Sequence, residues 1–124
     1  MESLAQLRKT IAHTLQSQIG NYRTGDVKDT LIQSKDSNRF VVICTGWFKG
    51  ENFYGVIQDV ELRADGTVLI HADNTDGDLA EDLAEAGVSA KRIVKAYRSE
   101  DIEQVARPKK KVERQYESQQ RMAA

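Results

Sequence analysis

The residues with the most chemical potential in this sequence form the acidic run Asp73-Asn74-Thr75-Asp76-Gly77-Asp78, which approaches the pattern of a calcium-binding loop. The register does not fit. With Gly77 as the obligatory sixth residue, the first ligand position falls on Ala72 and the closing glutamate on Leu83. Capping of a following helix accounts for the same residues without an ion. Thr75 or Asp76 can accept from the orphan amides, and early carboxylates suit the positive end of the helix dipole. Acid–base pairs could be drawn from Asp73 with Asp76, or from Asp59 with Glu61. With 19 acidic residues in 124, such pairs arise by chance, so they are weak grounds for catalysis.

Other chemistry has less support. His13 and His71 are far apart in sequence, and with a single cysteine no zinc-ligand spacing exists. Gly46-Trp47-Phe48-Lys49-Gly50 lacks the glycine spacing and terminal Lys-Ser/Thr pair of a phosphate loop. Cys44 lies in the apolar run Phe40-Val41-Val42-Ile43-Cys44 and reads as a small buried hydrophobe rather than a reactive thiol. No cofactor and no catalytic set is expected, so the chain reads as a binding or controlling factor, with a metal-dependent enzyme using the Asp73–Asp78 loop as the lesser alternative.

Two features suit binding. Trp47, Phe48, Phe53 and Tyr54 flank a hairpin; they could stack on bases, or pack into the core or a dimer face. Aromatic anchors dominate binding energy where they are exposed. Trp47, Phe48 and Tyr54, with Asp73, Thr75 and Asp76 of the acidic loop, are therefore the candidate partner-binding residues. The second feature is the C-terminal stretch 107–124, where Arg107, Lys109, Lys110, Lys111, Arg114 and Arg121 face only Glu113 and Glu117. That stretch is +4 in a chain of net charge −1, which leaves −5 on the first 106 residues. Arg107, Lys109, Lys110, Lys111 and Arg114 are the candidate nucleic-acid contacts, although such a run also stands as a simple solvated appendage. The near-neutral total excludes the signature of a wholly basic DNA-binding domain.

The elements that position these residues belong to one α+β domain over 1–106, with 107–124 as an extension and Pro108 at the boundary. Leu4, Leu7, Ile11, Leu15 and Ile19 form one helical stripe, with Gly20-Asn21 as a stop signal. The stripe is expected to cover a sheet, a partner helix in a dimer being the alternative. Strands follow near Thr30–Gln33, Phe40–Trp47, Phe53–Leu62 and Val68–His71, joined by turns at Lys35–Asn38 and Ala64-Asp65-Gly66. Tyr54, Val56, Val60 and Leu62 are expected on one face, with Gln58 interrupting. Short turns without intervening helices predict an antiparallel meander rather than a βαβ sheet. A second helix around Leu79, Ala80, Leu83 and Ala84 ends at Gly87, and Ser89 can cap a turn before an extended Ile93–Tyr97. No run approaches the about 20 apolar residues of a membrane span, and Met1–Thr10 lacks the apolar stretch of a signal peptide. One cysteine and no disulfide fit a reducing cytoplasm.

The order and wording of these pieces resemble the XisI family, controlling factors for excision of the fdxN element in nitrogen-fixing cyanobacteria. The resemblance runs from the helix Arg8-Lys9-Thr10-Ile11 to Asn21-Tyr22, through Val42-Ile43-Cys44-Thr45-Gly46-Trp47, to Tyr54-Gly55 and Leu62. Its most specific stretch is the family-like Asp-x-Thr-Glu-x-x-Ile-Ala-x-Glu-Leu-x-x-x-Gly-Val, written here as Asp73 to Val88. Leu69-Ile70-His71, Arg98-Ser99-Glu100 and the basic extension depart from the family pattern. The resemblance implies a helix-on-sheet fold and a non-enzymatic accessory role in programmed DNA excision during heterocyst differentiation. It also implies a XisH-type partner protein, with strand exchange left to a separate site-specific recombinase. A homo-oligomer and DNA contact through the tail are further expectations.

Overall fold

The computed structural model describes residues 3–19 and 26–98, which form two helices, a short 3-10 turn and five strands in one sheet. Helix α1 spans Leu4–Ser17 and starts at a capping box. The Ser3 hydroxyl accepts from the Gln6 amide at 3.1 Å, and the Gln6 side chain accepts from the Ser3 amide at 3.0 Å. Its 3.6-residue period places Leu7, Ile11 and Leu15 wholly inside, with Leu4 and Ile19 packed at the margin. The stop expected at Gly20-Asn21 lies outside the described residues.

Strands β1 (Lys28–Gln33), β2 (Arg39–Phe48), β3 (Glu51–Leu62) and β4 (Val68–Asp73) form the antiparallel meander. The β2–β3 turn holds Lys49 and Gly50 at positive φ (51° and 78°), the geometry of a two-residue hairpin whose twist matches its strands. Between β3 and β4, Gly66 takes φ 88° as the Arg63 amide reaches the Thr67 carbonyl at 2.9 Å.

Helix α2 (Leu79–Glu85), the 3-10 turn Ala90–Arg92 and strand β5 (Ile93–Lys95) complete the fold. Strand β5 lies parallel beside β4, so the sheet is mixed and the meander ends in one βαβ crossover. Returning through α2 brings the chain back to the end of the sheet where β4 began, so it can only run parallel. The extended Ile93–Tyr97 expected from sequence is shorter as a strand, though the Ala96 amide still donates to the Ile70 carbonyl at 2.9 Å.

Both helices cover the same face of the sheet. Leu7, Ile11 and Leu15 of α1 and Leu79 and Leu83 of α2 share one core with Phe40, Val42, Val60, Leu62, Val68 and Ile70. Cys44 is buried at the margin of this face, in keeping with its reading as a small hydrophobe.

A bulge in β3 corrects the expected facing of its side chains. Val42 pairs with Gln58 but Ile43 pairs with Val56, so Ile57 is an extra residue on β3. Beyond it the alternation changes phase. Gln58, Val60 and Leu62 turn into the core, whereas Tyr54 and Val56 turn to the opposite face and stand 82% and 41% exposed. The carbonyls freed at the bulge are taken by Asn74, whose amide reaches Ile57 O at 2.8 Å and whose side chain reaches Val56 O at 2.9 Å.

Candidate partner-docking surface

The β2–β3 hairpin is longer than its neighbours. Strand β1 stops pairing at Thr45 and β4 at Gln58, so residues 46–53 project beyond both adjacent strands. Gly46 sits at the base of the projection with φ 138°, and a Cβ there would collide with the Asp26 carbonyl. Only glycine lets the chain before β1 lie this close to the hairpin.

The four aromatics of the hairpin do not share one face. Register places Trp47 and Tyr54 on the face away from the helices, and Phe48 and Phe53 on the helix side of the projecting segment. Trp47 is 58% exposed, and the Lys49 ammonium lies 5.3 Å from the centre of the Phe48 ring. None of the four enters the core cluster. The hairpin thus presents aromatic surface on both sides of a narrow projection.

The acidic loop lies on the helix side of the sheet, against the β3 bulge. Asp73 is committed to structure: one carboxylate oxygen accepts from the Thr75 hydroxyl at 2.7 Å, the other from the Leu79 amide at 2.9 Å. The helix cap is Asp78, two or three residues later than expected, and its carboxylate accepts from the Ala80 and Glu81 amides. A helix that begins at Leu79 needs its capping oxygen at position 78, since that side chain reaches the amides two and three residues on. Asp76 and Thr75 stay exposed at the loop surface.

Between this loop, the end of α1 and the bulge is a cavity of about 630 Å³, lined by Gln18, Gln58, Asn74, Asp76 and Asp82 among others. A chain of side-chain amides crosses its floor. Gln58, 2% exposed, donates to the Gln18 carbonyl oxygen at 3.2 Å, and Gln18 donates to Asp82 at 2.8 Å. The chain ties β3, α1 and α2 together, and it satisfies the one glutamine that falls on the core face of β3. Sequence reasoning saw Gln58 only as a break in an apolar pattern; the signal that could have placed it was its even spacing from Val60 and Leu62.

On the opposite face, Arg39 grips Asp59 through two hydrogen bonds (2.7 and 3.0 Å) and lies 3.7 Å from Glu61. The Asp59 carboxylate raises the Arg39 pKa above its ordinary value. His71 bonds Glu61 at 2.8 Å. Asp59 and Glu61, weighed as an acid–base pair, are thus joined by Arg39. Among the described residues no group of three or more His, Cys, Asp and Glu side chains is placed to hold a metal ion, and no helix is long and apolar enough to cross a membrane. His13 and His71 lie on different elements, α1 and β4. Arg107, Lys109, Lys110, Lys111 and Arg114 lie outside the described residues.

Comparison with known proteins agrees with this architecture. The XisI protein family matches residues 1–107, stopping where the basic extension begins. Two solved structures from Anabaena variabilis ATCC 29413 share the fold. One is a XisI-like protein, 21% identical, with a TM-score of 0.61 over 77% of this chain and 84% of its own. The other is the fdxN element excision controlling factor XisI, 20% identical, with a TM-score of 0.57 over 78% of this chain and 94% of its own. A search of curated proteins returned no match.

Proposed function

Because this chain belongs to the XisI family, we propose that it is a non-enzymatic controlling factor for programmed excision of a DNA element, acting by contact with a XisH-type protein. The family match over most of the chain supports this reading, together with the name of a similar structure, the fdxN element excision controlling factor XisI. In this account strand exchange is the work of a separate recombinase. The chain contributes a docking surface, and its single, buried cysteine suits the reducing cytoplasm in which it would operate.

The contact is made by the projecting hairpin. Trp47, Phe48 and Tyr54 offer large, stiff side chains on both faces of a narrow arm, a shape that can enter a groove on a partner. Asp76 and Thr75 at the neighbouring loop supply a polar rim. Co-purification of the wild-type chain and a Trp47→Ala variant with a XisH-type protein tests the proposal.

The basic residues of 107–124 support a second reading, in which the tail holds DNA while the body stays clear of the phosphates. A charge of +4 on 18 residues, against −5 on the remainder, is the observation in its favour.

A further inference from the structure

We propose that the sheet face away from the helices is a self-association surface, and that the chain pairs through it with a second copy of itself. This goes beyond the partner reading but shares Trp47 and Tyr54 with it, so a second copy and a XisH-type protein compete for that side of the hairpin while Phe48 stays free on the other. The two helices and the larger core cluster occupy one face; on the other, Leu69 of β4 and Val94 of β5 are buried with Ala96 against them, which leaves β1, β2 and β3 as its open part. The other carries Ile32, Val41, Ile43, Tyr54 and Val56 in adjoining rows of β1, β2 and β3, with Trp47 at its margin.

The size of this patch fits a dimer. Ile32 is 49% exposed, Val56 41%, Trp47 58% and Tyr54 82%, which together amount to roughly 450 Å² of side-chain surface. A standard interface buries about 800 Å² per partner, somewhat more than half of it apolar, so the patch supplies about the required apolar share. Single exposed apolar residues are ordinary, but a contiguous patch of this extent marks an interaction site.

Charge selects the occupant. The titratable residues on β1, β2 and β3 of this face are Lys28 and Arg39 against Asp59 and Glu61, a balance of zero. The first 106 residues as a whole carry −5, so this face is less acidic than the body around it. A balanced face has no electrostatic preference for a basic partner or for nucleic acid, whereas about a two-fold axis it is self-complementary. Sheets packed face to face sit about 10 Å apart, a separation that interdigitated Ile, Val and Tyr side chains fill.

Sedimentation of the full chain, alone and over a range of concentrations, tests this. A species of twice 13.9 kDa is expected. Val56→Arg and Ile32→Glu, both at solvent-exposed positions, should each leave a folded monomer, and Phe48→Ala on the other side of the hairpin should leave the dimer intact. Trp47 is the only tryptophan, so its emission should shift to the blue as the wild-type chain associates and remain unshifted in Val56→Arg. A wild-type monomer at every concentration would overturn the proposal, as would a dimer that persists in both face variants. A monomer whose Trp47 emission shifts only on adding a XisH-type protein would assign the face to that partner instead.

Discussion

Tyr54 and Val60 lie six positions apart on β3 and point to opposite sides of the sheet, Tyr54 82% exposed and Val60 fully buried. An even spacing on an unbroken strand keeps two side chains on one face, so the separation is the work of the extra residue Ile57. That one residue lets the same strand close the core at one end and offer its apolar side chains to solvent at the other. Asn74 holds the bulge through the Val56 carbonyl. Asn74→Ala should therefore cost about 1 kcal/mol, read as a lower urea midpoint with an unchanged m-value.

The hairpin turn offers a change in the other direction. Lys49 holds a positive φ that a β-carbon-bearing residue adopts at some cost, and Asn tolerates it best after glycine. Lys49→Asn should raise stability by up to about 1 kcal/mol, measurable by thermal denaturation.

Gly46→Ala should be far more damaging than a half-buried strand position suggests. Its added carbon meets the backbone of Asp26 and Val27, and φ 138° suits glycine alone. A loss of roughly 2–3 kcal/mol is expected by denaturant unfolding, with strained backbone and steric overlap both contributing.

Two turn carboxylates set an acid-side dependence. Asp36 is held below its usual pKa, first by the Ser34 hydroxyl and then by the Asn38 amide; Asp65 is held down by the Thr67 side chain and amide. A lowered folded pKa contributes stability that is present above the unfolded value near 3.8 and is lost as pH falls through the folded value. Both groups are exposed, so the effect is small. Asp36→Asn and Asp65→Asn should each flatten the stability profile below about pH 4 and leave it near neutrality little altered in shape.

If the tail binds DNA, retention should fall with salt along a log–log slope of roughly −0.9 per phosphate neutralised. Removal of residues 107–124 should then abolish binding and leave the thermal transition of the body in place. Binding that survives the deletion would remove Arg107, Lys109, Lys110, Lys111 and Arg114 from the account.

Much of this architecture was legible before any coordinates, and the exceptions have physical reasons. The stripe Leu7, Ile11, Leu15 marked α1 because burial against one sheet face enforces the helical period, and the turns at Asp36 and Gly66 fell where the pattern placed them. The bulge was not legible. Tyr54-Gly55-Val56-Ile57-Gln58 alternates acceptably in either phase, and the carbonyls that the bulge frees are taken by Asn74, a residue distant in sequence. The cap was misplaced for a local reason: five residues of the acidic loop carry a side chain that can cap, and the start of α2 at Leu79 selects Asp78. The parallel β5 depended on where α2 returns the chain, which a three-residue strand cannot announce. The aromatic cluster was visible as composition, but its division between two faces required the register of β2 on β3.

The most direct test of the central claim is affinity between this chain and a XisH-type protein, measured at moderate salt for the wild type, Trp47→Ala and Phe48→Ala. The account predicts a stable wild-type complex and a loss of about thirtyfold or more in affinity for Trp47→Ala, the cost of truncating a central aromatic anchor, with both variants still folded. Absence of any wild-type complex, or a complex that neither hairpin substitution weakens, would contradict it.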